Sequence, residues 1–173
     1  EVDHPATSTE KRARIAHALG GTVDRVTYVP VDFNVETIAD RLRASGYRDG
    51  AKTIFLWEGV IPYLTAAAVD DVLRFAGSAG SGSAILFDYV IASLLDGTCD
   101  MRGARNEHDK MRRSSEPFTF GIGEGAVGTF LAERGFVDVV DVGADDLEAS
   151  YFGGDTAGRY VKPWWRIASA TVP

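Results

Sequence analysis

Two periods of apolar and polar residues alternate along this chain, one of strands and one of helices, and the switch recurs about once per βα unit of ~30 residues. Glu1-Val2-Asp3 reads as the tail of a strand. Thr7 with Glu10 three residues on predicts a capping box, and Ile15 and Leu19 share a helical face before Gly20-Gly21 stops the run. Residues 25–31 are rich in β-branched side chains and predict a strand. Asn34 is placed to cap a second helix, with Val35, Ile38 and Leu42 on one face and Gly46 at its end. Residues 53–57 are a continuous apolar run, as expected of a strand covered on both faces. Thr65 opens a helix whose Val69, Val72, Leu73 and Ala76 repeat at helical spacing, and a Gly/Ser stretch leads to a strand at 84–87. Strands alternating with helices of this length predict an α/β fold with a largely parallel sheet and helices on both faces.

The rhythm then changes. Residues 94–117 are polar and charged with little apolar periodicity, which predicts a lid or mobile loop within a single domain spanning 1–173. A last helix carries Val127, Phe130 and Leu131 and stops at Gly135, and strands follow at 136–140 and 164–168. The Gly-rich stretch 153–158 lies between them, and the lack of a helix of usual length predicts an antiparallel pair at the sheet edge.

Composition narrows the possibilities. The chain has 173 residues, 45% of them hydrophobic and 25% charged, a balance that excludes disorder. No apolar run approaches the ~20 residues needed to cross a bilayer, so no membrane partner is expected. A net charge of −7 without a basic stripe argues against nucleic acid. Cys99 is the single cysteine, which rules out an intramolecular disulfide and a cysteine metal cluster and suggests a cytoplasmic setting. His4, His17 and His108 share no metal-ligand spacing, and no metal site is expected. Residues 121–125 are Gly-rich but lack the Lys and Ser/Thr of a phosphate loop, which makes them a plain turn.

The informative residues are acids. Asp3, Asp32, Glu58 and Asp88 each fall at the C-terminal end of a predicted strand, where open α/β sheets bind their ligands. Acids there also cap the helices that follow. Four in register favour a site that accepts hydrogen bonds from hydroxyls or an amine and suits a cationic ligand.

Glu1-Val2-Asp3-His4-Pro5, Lys11-Arg12, Tyr28-Val29-Pro30-Val31-Asp32-Phe33, Trp57-Glu58-Gly59-Val60 with Tyr63-Leu64, and Phe87-Asp88-Tyr89 resemble, in this order and spacing, the leucine carboxyl methyltransferase family, which includes polyketide O-methyltransferases of secondary metabolism. The resemblance runs to about residue 135. It implies a class I methyltransferase fold with S-adenosylmethionine as cofactor. By the same resemblance Asp3 holds the ribose hydroxyls, Asp32 and Phe33 flank adenine, Glu58 lies near the methionine end, and Tyr63 lines the acceptor site. The implied activity is O-methylation of a carboxylate or hydroxyl on a small molecule.

The family's first strand and Gly-rich loop precede Glu-Val-Asp-His-Pro, and the chain opens at those residues without a Met. That strand would lie between the strands ending at Asp3 and Glu58, so either an N-terminal segment or a second chain is expected to complete the sheet. The alternatives are a non-catalytic subunit or pseudoenzyme, and a methyltransferase fold turned to other chemistry. His108 is a candidate base for a hydroxyl acceptor or a solvated loop histidine. Arg102, Arg105, Lys110, Arg112 and Arg113 form either a solvated face or a clamp for an anionic substrate. Tyr160, Trp164 and Trp165 wall an apolar pocket or pack the edge strand.

Overall fold

The computed structural model describes residues 1–21, 25–33, 35–153 and 158–173. The first unit is a short strand β1 (Val2–Asp3), helix α1 (Pro5–Leu19) and strand β2 (Val29–Pro30), with β1 and β2 parallel. Pro5 stands at the first helical position, where its missing N–H costs nothing, and the His4 Nδ1 accepts the Ala6 N–H. The helix thus begins two residues before Thr7, so the Thr7–Glu10 capping box is not its start. Gly20 closes it in the left-handed conformation, φ 70°. Helix α2 (Ile38–Ala44) is capped by Thr37, which accepts the Asp40 N–H at 3.3 Å, and the expected Asn34 cap lies outside the described residues.

Strand β3 (Ile54–Trp57), helix α3 (Ala66–Gly77) and strand β4 (Ala84–Val90) form the next parallel unit. Thr65 caps α3 as its sequence predicts, accepting the Ala68 N–H at 3.2 Å. Helices α4 (Ser93–Asp96) and α5 (Ala104–Arg113) occupy the segment expected to be a lid or loop. Its helicity escapes notice because α5 buries only Ala104 and Met111 among ten residues, too few to print an apolar period. Helix α6 (Val127–Ala132), strand β5 (Val137–Val142), helix α7 (Ala144–Phe152) and strand β6 (Trp165–Thr171) complete the chain.

The strands form two sheets, β1-β2 and β3-β4-β6-β5. Strand β6 is antiparallel to both neighbours and lies one place in from the edge, so β5 takes the rim expected of β6. A nine-residue helix, α7, does separate them. Strand β5 is bulged between Val137 and Val140, with Asp138 at φ 52° and its carboxylate accepting the Thr171 hydroxyl at 2.9 Å.

One face of the larger sheet is covered. Ile85, Phe87, Tyr89, Ala168 and Ala170 pack there against Val69, Val72, Leu73 and Ala76 of α3 and Val127 and Leu131 of α6. The opposite face is open. In one row across the strands, Leu56 pairs with Leu86, Leu86 with Ser169 and Ser169 with Val140. Leu56 is 69% exposed, and Ile54 two residues before it is 81% exposed. Residues 53–57 were expected to be covered on both sides; only one side is. A cavity of about 330 Å³, lined by residues 1–3 and 53–57, separates β1 from β3.

On the covered face the buried Tyr89 donates its hydroxyl to Asp141 at 3.0 Å, and Arg166 Nε reaches the same carboxylate at 3.0 Å. Burial and the Asp141 charge push the Tyr89 phenol well above its usual range. A phenol whose proton is held more tightly when folded contributes its stability fully below the unfolded value of ~10, and that contribution is lost as pH rises beyond it. Thermal melting points should therefore fall above about pH 10, and Tyr89→Phe should blunt that alkaline loss. A second contrast follows from the two faces. In urea denaturation, Leu73→Ala should cost about 2–5 kcal/mol, and Leu56→Ala about 0.5 kcal/mol or less.

Candidate active site

The C-terminal ends of β1, β2 and β3 converge on one side of the molecule. Asp3 is the last residue of β1 and accepts the His4 N–H at 2.7 Å. Asp32 and Phe33 follow β2, where the Asp32 carbonyl accepts the Val35 and Glu36 N–H groups and fixes the turn. After β3 the chain passes Gly59, whose φ of 70° turns it sharply, into a 3₁₀ turn at Ile61–Tyr63. Asp3, His4, Asp32, Phe33, Gly59 and Tyr63 all line a single cavity of about 420 Å³. Four of the five candidate residues, Asp3, Asp32, Phe33 and Tyr63, therefore meet in one place.

Glu58 does not line that cavity. It faces the open side of the sheet, in a hollow of about 280 Å³ with Leu56, Leu86, Asp88, Trp165 and Ile167. Gly59, the next residue, is the one that reaches the Asp3 cavity. Asp88 explains how this turn is held. One carboxylate oxygen accepts the Gly59 N–H at 2.7 Å and the other accepts the Trp165 indole N–H at 2.9 Å. It ties the turn after β3 to β6 from within β4, which runs on to Val90, so Asp88 is not at the strand's end as its sequence predicts.

The far wall comes from residues that periodicity does not mark. Thr119 donates its N–H to the Pro62 carbonyl at 2.7 Å and its hydroxyl to the Leu64 carbonyl at 2.8 Å. These bonds stitch residues 116–120 onto the 3₁₀ turn and bring Glu116, Pro117 and Thr119 to the cavity. Phe118 stacks edge-on to Tyr63 at 5.2 Å and lies 5.9 Å from the Trp165 ring. Phe118 and Trp165 do not line the cavity themselves, and Trp164 is buried in a small second core with Val90, Ile91, Leu94 and Ala104. Arg102 lies over the Tyr160 ring at 4.4 Å. His108 is half-buried between α5 and α4, its Nδ1 2.9 Å from the Leu94 carbonyl, and does not line the cavity. No His/Cys/Asp/Glu group suited to a metal occurs among the described residues.

The donor set fits adenosine. Two carboxylates and an aromatic ring at adjacent strand ends, in a cavity of this size, present acceptors for ribose hydroxyls and an exocyclic amine beside a flat apolar surface.

Comparison with known proteins agrees with this geometry. Residues 1–77 match the leucine carboxyl methyltransferase family. The resemblance read from the motifs therefore holds over the stretch that carries Asp3, Asp32, Phe33, Glu58 and Tyr63. A putative S-adenosyl-L-methionine-dependent methyltransferase of Bacillus subtilis, YktD, is 26% identical over 157 residues, covering 88% of this chain and 50% of that protein. Among solved structures, the S-adenosylmethionine-dependent methyltransferase SibL in its apo form superposes with a TM-score of 0.60 at 17% identity, over 100% of this chain and 42% of SibL. Human N-acetylserotonin methyltransferase in complex with SAM gives a TM-score of 0.56 at 10% identity, over 99% of this chain and 39% of that one. The fold is that of the class I methyltransferases. The chain spans half or less of the length of these relatives.

Removing the Asp88 clamp tests the site's architecture. Asp88→Ala leaves two N–H donors without an acceptor and should lower stability by about 2–3 kcal/mol in chemical denaturation. It should also shift the tryptophan emission, because the indole of Trp165 loses its partner.

Proposed function

We propose that this chain is part of an S-adenosylmethionine-dependent O-methyltransferase acting on a carboxylate or hydroxyl of a small molecule, in a cytoplasmic setting. The observation that carries the reading is the gathering of Asp3, Asp32, Phe33 and Tyr63 around one cavity at the strand ends. The family match over residues 1–77 and the methyltransferase titles of the relatives support it. When bound, the cofactor supplies an electrophilic methyl group on a cationic sulfur. Asp3 would hold the ribose hydroxyls and Asp32 the adenine amine, with Phe33 along the base. Glu58 would add negative potential on the methionine side, and the Tyr63–Phe118 wall would orient the acceptor and exclude water.

The gap between β1 and β3 belongs to this reading. Both strands carry a partner on one side only among the described residues, β2 for β1 and β4 for β3. A parallel strand seated there, supplied by an N-terminal segment or a second chain, would join the two sheets. The crossover from β3 to β4 places α3 on the covered face. A right-handed crossover from the gap into β1 runs the opposite way along the sheet, so its helix would fall on the face opposite α3.

Titration with S-adenosylhomocysteine tests the proposal. Binding is expected, and Asp32→Ala or Asp3→Ala should weaken it by about tenfold or more, the worth of one hydrogen bond to a charged group. Absence of binding would turn the reading to the non-catalytic alternative.

A further inference from the structure

The Asp3 cavity has a neighbour. A second hollow of about 270 Å³ is lined by Tyr63, Glu107, Lys110, Met111, Ser114, Glu116 and Phe118. Tyr63 and Glu116 line both. They stand at the junction, and the junction is where a molecule in the outer hollow would meet one held by Asp3 and Asp32.

The charges around the junction are unequal. Glu107 is paired with Lys162 at 2.7 Å. Lys110 lines only the outer hollow. The Glu116 carboxylate takes no hydrogen-bond or ion-pair partner among the described residues, while its own N–H is held by the Ser114 hydroxyl oxygen at 3.1 Å. Residues 116–120 are anchored on the Tyr63 turn through Thr119, so Glu116 is carried on the same scaffold as Tyr63.

We propose that Glu116 selects and deprotonates the acceptor, which is a neutral hydroxyl or phenol on an apolar body seated against Met111 and Phe118, and not a carboxylate. This rests on the methyltransferase reading and narrows it. A carboxylate acceptor needs no base and would be repelled at the junction by the like charge of Glu116. A hydroxyl gains a hydrogen bond from the same group and needs a proton acceptor when its oxygen forms the new bond to carbon. In that step the oxygen lone pair makes the C–O bond, the C–S pair returns to sulfur, which becomes a neutral thioether, and the O–H proton passes to Glu116 and then to water. Lys110 lines the outer hollow alone, whereas Glu116 lines both cavities.

Phenol and benzoate serve as probes of the junction, read by calorimetry and by the NMR shifts of Tyr63 and Phe118. At neutral pH the chain should bind phenol about tenfold more tightly than benzoate, and Glu116→Gln should bring the ratio close to one. Glu116 is exposed on a loop, so the variant should keep the wild-type melting curve. Equal binding of the two probes, binding of neither, or a ratio unchanged in the variant would each overturn the proposal. The ratio is measured without cofactor, so failure of S-adenosylhomocysteine to bind marks the failure of the broader reading separately.

Discussion

The parallel pairing of β3 with β4 is the constraint on which the site depends. Their register sets Trp57, the last residue of β3, opposite Phe87, while β4 runs on to Val90. Glu58 and Gly59 therefore emerge beside Asp88, within reach of a single carboxylate. Gly59 then turns the chain into the segment that carries Tyr63, and residues 116–120 are bonded to that segment in turn. Shifting β3 by one residue would exchange its buried and exposed sets and move every one of these groups.

Strand-end chemistry was legible in the sequence because it obeys a local rule. Asp3 ends β1, Asp32 and Phe33 come just beyond β2, and a βα repeat brings strand ends together whatever fills the loops. The α3 helix was equally plain, since its buried residues keep a helical period and Thr65 supplies a cap. What could not be read depended on distant partners. Glu116 and Phe118 reach the site through Thr119 bonds to carbonyls 55 and 57 residues away. Trp165 packs on Phe118 while Asp88, 77 residues before it, holds its indole.

The reading of β3 as buried on both faces failed for an instructive reason. Ile54 and Leu56 have the composition of a covered strand, but composition records what a residue is suited to meet, and only packing shows what it meets. The same holds for α5, which is helical with few buried residues. Its first turn follows Gly103, and its charged face lies along the outer hollow through Lys110 and Glu107.

The bulge in β5 has a consequence for how this molecule behaves in a crowd. Asp138, at φ 52°, distorts the outer rim of the larger sheet, which makes that rim a poor template for another strand. The margins of β1 and β3 that face each other have no such protection, and the apolar row of Leu56 and Leu86 runs beside them. Of the margins of β3 and β5, the one beside the gap is therefore the better template for a further strand. A strand seated there, as proposed above, would also act as the chain's safeguard against aggregation.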